Sequence, residues 1–197
     1  MSNVYSGYGG YQNLKSFKIA QLIYDVTVHF CNLYIDKFSR TRDQMTQAAR
    51  SGVQNIAEGS LASVTSKKTE IMLTQVARAS LEELKLDYSD FLRQHNLVLL
   101  RPDHPILLRF KQQKPTTIEE VLTWMANEHN SIEQNHGLNE QQKMSCIMAN
   151  GVLALINLAC YLLGRQIQRQ INDFIQNGDF SERLSKLRAE KRKTQKK

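Results

Sequence analysis

Residues 41–60 read TRDQMTQAARSGVQNIAEGS, and this stretch decides the fold. At helical spacing Met45, Ala48, Gly52, Ile56 and Gly59 fall on one side. Three of those five are Ala or Gly, so the apolar stripe is shallow and a second helix can approach it closely. Gly52 inside a helix costs about 0.8–1 kcal/mol relative to Ala, and tight packing is the expected compensation. The other side carries Gln47, Arg50, Ser51, Gln54, Asn55 and Glu58, amides and hydroxyls where a solvent face usually carries Lys and Glu. Such a helix suits contacts on more than one side. Ala48, Gly52, Asn55, Ile56, Glu58 and Gly59 are therefore expected in packing or at a subunit interface. Asn55 and Glu58, one turn apart, read as hydrogen-bonding groups across a helix interface, to Arg50 or Arg78, in preference to an acid site.

The helical pattern continues on both sides of this stretch, and no alternating strand pattern emerges. Helices are expected at about 14–38, 41–59, 66–95, 118–129 and 139–176, within a helical body spanning 13–176. The first carries Phe17, Leu22, Ile23, Val26, Phe30, Leu33 and Ile35 on a broad apolar side. Thr41-x-x-Gln44 has the form of a capping box for the second, and Gly59 that of its stop. The third is expected to bury Leu73, Val76, Ser80, Leu84, Tyr88 and Phe91. All three prolines (Pro102, Pro105 and Pro115) fall in one window, so 96–117 reads as a loop lying along the body. Thr117-x-x-Glu120 caps the fourth helix, with Val121, Leu122 and Met125 as its contact side. Asn139 starts the fifth, and Asn177-Gly178 stops it. Short connections make the first three helices antiparallel neighbours.

Charge is concentrated at one end. The chain has 26 Lys and Arg against 19 Asp and Glu. Residues 181–197, SERLSKLRAEKRKTQKK, hold eight of the basic side chains and two of the acidic ones, a net +6. The rest of the chain is nearly neutral. Ser181 is expected to start a short basic helix that docks through Leu184 and Leu187. Residues 1–12 lack the basic and apolar regions of a secretory signal and read as a flexible arm rich in Tyr and Gly. The 21 uncharged residues from Met144 to Gly164 are long enough to cross a bilayer. Asn150 and Asn157 inside them favour a buried core helix, with no membrane role. Placed seven apart, these two asparagines suit a core or subunit seam, where polar groups set register. Cys31, Cys146 and Cys160 are an odd number in apolar helical pattern, so free buried thiols and a reducing, cytoplasmic setting are expected.

Several residues carry a resemblance. Tyr11-x-x-Leu14-x-x-Phe17, then Gln44, Ala48, Ala49, Ser51 and Asn55–Gly59, then Ala79, Leu81, Glu82 and Leu84 resemble the bacterial four-helix-bundle family of 23S rRNA intervening-sequence proteins. That family includes the accessory variability determinant of diversity-generating retroelements. The later stretch ALINLACYLLGRQIQRQINDFIQNGDFSERLSKLRAEKR is similar to the four-helix-bundle suffix domain of a subgroup. The resemblance covers residues 11–95 and 140–192. It implies an all-α antiparallel four-helix bundle with a C-terminal helical extension, no enzyme activity, and assembly into a homo-oligomeric ring, a homopentamer. For the retroelement member it also implies binding to RNA or DNA and partnership with a reverse transcriptase. Where many relatives carry two arginines before the Ala-Ala pair, this chain has Thr46-Gln47, and its arginine is Arg50.

Nucleic-acid contact is therefore expected first in the tail (residues 179–197), through Arg183, Lys186, Arg188, Lys191, Arg192 and Lys193. Clustered Lys and Arg neutralise phosphates and release counterions, which gives salt-sensitive affinity without sequence preference. A solvated tail that only keeps the protein soluble is the competing account. Arg40, Arg42 and Arg50, joined by Lys67 and Lys68, form a candidate second patch, against ordinary surface charge. No aromatic platform for base stacking is interleaved with these residues. The five histidines are scattered, and there is no phosphate-binding Gly-rich loop, nucleophile elbow or paired-carboxylate signature, so neither catalysis nor a cofactor or metal is expected. A protein–protein assembly module with no nucleic-acid role remains the alternative function.

Overall fold

A computed structural model describes residues 10–131, 137–179 and, beyond them, 181, 182, 184, 185, 188, 189 and 192. Among these residues are six α-helices: α1 (Lys15–Tyr34), α2 (Arg40–Ala62), α3 (Lys67–Gln94), α4 (Pro105–Gln113), α5 (Ile118–Glu128) and α6 (Glu140–Asn177). Two 3-10 turns, Tyr11–Asn13 and His129–Ser131, lie before α1 and after α5. The protein is all-α, with several long helices packed together and a distinct long C-terminal one.

Cross-contacts set the direction of each long helix. Cys31 Sγ meets Met45 Sδ, and Ser51 Oγ lies 2.8 Å from Ser80 Oγ, so α2 runs against both α1 and α3. Ser16 Oγ donates to Gln166 Oε1, and Gln170 Nε2 donates to Thr74 Oγ1, so α6 also runs against α1 and α3. Packing of α1 on α2, α2 on α3, α3 on α6 and α6 on α1 closes a ring around one core. At its centre Phe30 rests against Tyr88 and Phe91, each ring centroid 4.9 Å away, and the Tyr88 hydroxyl donates to Thr27. α6 is the one described helix long and apolar enough to cross a membrane, and 72% of its most apolar window is buried in this core.

The stretch at 41–60 makes the close approach its composition allows. Met45, Ala48, Ala49, Gly52, Ile56 and Gly59 are all buried. A Cβ on Gly52 would stand 2.8 Å from Leu81 Cδ2, and one on Gly59 would stand 3.3 Å from the Glu70 carbonyl. The cap differs from expectation: Ser39, not Thr41, accepts from the Thr41 N–H and starts α2. Gly59 lies inside the helix, because α3 at that point needs the space of a missing side chain, and α2 continues to Ala62.

Other expectations are corrected by packing. α1 ends at Tyr34 instead of near residue 38, and both Leu33, on the outward side of its last turn, and Phe38 beyond it are exposed. In the first half of α3 the buried residues are Thr74, Ala77 and Leu81; Val76 faces out, and Leu73 and Ser80 are only partly covered. The 96–117 connection is not a plain loop, since Pro105 supplies the first turn of α4, capped by the His104 side chain. Lys114 ends α4 in left-handed conformation before Pro115. Six helices thus pack together among the described residues where the resemblance implies a bundle of four; α4 was not expected, and both it and the expected α5 pack on α6. Trp124 stacks on Phe110 at 4.2 Å and presses on α6 where Gly151 has no side chain. The arm reads as flexible to residue 12, yet Tyr11 belongs to a turn and packs edge-on against Phe17. Residues 1–9 of that arm, and most of the connection at 130–138, lie outside the described residues.

Candidate nucleic-acid interface

The C-terminal end of α6 brings the root of the tail onto the start of α3. Ser66 caps α3 through its hydroxyl, and the next backbone N–H, of Lys67, donates to Asp179 Oδ1 at 2.9 Å. A carboxylate at a helix N-terminus satisfies an orphan donor and complements the helix dipole. Lys67 Nζ bridges Glu70 at 3.1 Å and Asp173 at 3.2 Å. Burial works against its charge, but these two carboxylates outweigh it and hold its pKa above the ordinary lysine value. The tail thus leaves the body at a defined place. Of its expected contact residues, Arg188 and Arg192 are exposed on helical backbone, as are Ser181, Glu182, Ser185 and Ala189 around them. Arg183, Lys186, Lys191 and Lys193, and the docking residue Leu187, lie outside the described residues.

The second patch is not one surface. Arg40 and Arg42 stand at the start of α2, whereas Lys67 and Lys68 stand just beyond its end. At about 1.5 Å per residue, the helix separates them by roughly 30 Å. Arg42 donates to Asn32 of α1 at the surface, and Lys67 is held by its two carboxylates. Arg40, Arg50 and Lys68 remain exposed on the surface. Of these three exposed residues, Lys68 alone stands at the end of the molecule from which the tail departs.

The amide groups also settle differently from their expected roles. Asn55 does not cross to another helix; its Nδ2 donates to the Ser51 carbonyl and hydroxyl, and Ser51 makes the cross-helix contact with Ser80. Glu58 is exposed, with neither Arg50 nor Arg78 as its partner among the described residues. Asn150 is buried, and it pins the chain after α3 instead of a helix seam. Its Oδ1 accepts from Leu100 N–H at 2.8 Å, and its Nδ2 donates to the Val98 carbonyl at 2.9 Å. Asn157, seven residues further along the same face, is exposed because that covering segment does not extend so far.

Asn157 instead lines a groove of about 420 Å³ between α3 and α6, together with Arg78, Glu82, Cys160, Tyr161 and Arg165. Arg78 reaches across α6 over Gly164. Arg165 Nη1 donates to the Tyr161 hydroxyl at 3.3 Å. Glu82 is partnered by Lys85 at 3.7 Å. Sequence reading named Asn157, Arg78 and Cys160 in other roles and did not bring the group together, because Tyr161 sits in the apolar run and Arg78 lies far away in the chain. The available signal was the spacing of Tyr161, Arg165 and Gln168, which recur on one helical face.

No family model, curated protein or solved structure matches this chain.

No group of three His, Cys, Asp or Glu capable of holding a metal occurs among the described residues. All three cysteines are free and buried. Burial pushes the Cys31 and Cys146 thiols up to about 11, and burial together with Glu82 pushes Cys160 up to about 12. Such thiols are poor nucleophiles at neutral pH. The Arg109–Glu128 pair joins α4 to α5 through two hydrogen bonds of 2.6 Å. The guanidinium beside it holds the buried Glu128 carboxyl below the usual carboxylate range against the opposing effect of burial.

Proposed function

We propose that this protein is a non-enzymatic, homo-oligomeric nucleic-acid-binding accessory protein of the cytoplasm, built as an antiparallel four-helix bundle extended by α4, α5 and a basic tail. The observation that carries the reading is the placement of charge: a net +6 within 17 residues, on a segment whose root is fixed by Asp179 at the start of α3. Fixing the root gives several tails a common direction if copies associate, and linked weak contacts raise avidity without new chemistry. The resemblance implies a homo-oligomeric ring, a homopentamer, and, for its retroelement member, a reverse transcriptase as protein partner.

The test is RNA and DNA binding by the whole chain and by a chain lacking residues 181–197, measured across rising salt. Strong salt dependence that flattens on removal of the tail is the expected result, since each neutralised phosphate contributes about 0.7–0.9 to the slope of log K against log salt. Absent or salt-insensitive binding sinks the reading.

One observation favours the alternative of a purely structural assembly module. Met72, Val76 and Leu86 form an exposed apolar row along the outer face of α3, at 54%, 41% and 67% exposure. Such rows mark protein contacts. Stable protein partners with no bound nucleic acid on co-purification would select that reading.

A further inference from the structure

We infer that the groove between α3 and α6 is a second nucleic-acid contact, gripping the phosphodiester backbone of a single strand and stacking one base on Tyr161. This rests on the nucleic-acid reading above and moves part of the interface from the tail to the body. Two guanidiniums from different helices converge on the groove, Arg78 from α3 and Arg165 from α6. Neither has a carboxylate within ion-pair distance among the described residues. Glu82, the one acid lining the groove, is answered by Lys85, so the local balance is positive.

Guanidinium forks match phosphate oxygens two at a time, which suits them to a backbone running between the helices. Tyr161 is 57% exposed, and its hydroxyl is tethered by Arg165, so its ring is held at the rim. An exposed ring between cations is the platform on which an unpaired base stacks. Asn157 and Gln168, both exposed, add amide groups to the lining. The path also has the right continuation. Arg165 and Arg169 lie on the C-terminal half of α6, the part that leads toward the basic tail. The paired bases of a duplex have no free face for Tyr161, which makes a single strand the matched ligand.

The experiment compares the whole wild-type chain with R78Q/R165Q, Y161A and Y161F, titrated into short fluorescein-labelled single-stranded RNA, single-stranded DNA and a duplex across a salt series. Urea midpoints establish that each variant is folded. The expected result is that R78Q/R165Q weakens single-strand binding and lowers the salt slope by about 1.4, two contacts at ~0.7 each. Y161A weakens single-strand binding about tenfold, while Y161F, which keeps the ring, stays close to wild type. RNA and DNA single strands behave alike if backbone and stacking dominate, and a preference for one identifies the natural strand. The inference is overturned if wild type binds but the groove variants match it in affinity and slope, with removal of 181–197 alone abolishing binding. Failure of wild type to bind any strand overturns the nucleic-acid reading itself, and this inference with it.

Discussion

Gly52→Ala tests the packing on which the fold depends. Placed in an exposed helix, this change would stabilise the protein by about 0.8–1 kcal/mol, the difference in helix propensity. At this site the new methyl carbon falls 2.8 Å from Leu81 Cδ2 and 3.0 Å from Leu81 Cγ, and Leu81 is fully buried. Overpacking of that kind costs about 1–3 kcal/mol. The net expectation is a loss of about 1 kcal/mol, which for a chain of this size lowers Tm by roughly 2–4 °C. Urea denaturation should show a lower midpoint at unchanged slope. Leu81→Ala removes the very atoms that clash and costs about 2–5 kcal/mol by itself. In that background Gly52→Ala should change sign and stabilise, giving a coupling of about 1–3 kcal/mol between the two positions. If Gly52→Ala stabilises the protein equally in both backgrounds, α2 and α3 are not in contact at Leu81 and the reasoning fails.

Three further outcomes follow from the geometry. Asn150→Ala leaves the Leu100 N–H and Val98 carbonyl without their side-chain partner, so a loss of about 1–3 kcal/mol and earlier proteolytic cleavage near residues 97–104 are expected; unchanged cleavage would argue against the pin. Glu128 has a depressed pKa in the folded protein, so the unfolded chain takes up its proton first as pH falls. Its contribution is present above the ordinary carboxylate pKa and is lost as pH drops through the lower folded value; Glu128→Gln should therefore flatten the acid side of a urea-midpoint profile below about pH 4.5. With thiols at about 11 to 12, Cys31, Cys146 and Cys160 should resist a thiol reagent at pH 8 in the native state and react fully in urea; fast native labelling would contradict their burial.

Local signals were legible where one helix turn contains the whole interaction. Thr117 with Glu120 and Asn139 with Gln142 are complete capping boxes, and Ser66 caps α3, because donor and acceptor lie three residues apart. The α2 stripe was legible for a similar reason, since its period is that of one helix. The α3 face was less so: Val76 is apolar yet exposed, while Thr74 is buried and returns its hydroxyl to the Glu70 carbonyl. Polarity alone could not rank those two positions. The 96–117 connection hid a helix because Pro105 breaks a pattern in mid-helix but starts one at the first turn.

From its sequence alone this chain determines that it is helical, where most helices start, which residues of α2 are small enough to be packed upon, and that its charge is gathered in the last 17 residues. These are properties of spacing and composition within single segments. Only the tertiary structure decided that Arg40 and Lys67 stand at opposite ends, that Asn150 is covered and Asn157 open, and that Arg78 meets Tyr161 and Arg165 across one groove. Those facts depend on which helix lies beside which, and on how far each covering segment reaches. Helix neighbours are chosen by the summed fit of many buried side chains, which no single stretch of sequence contains.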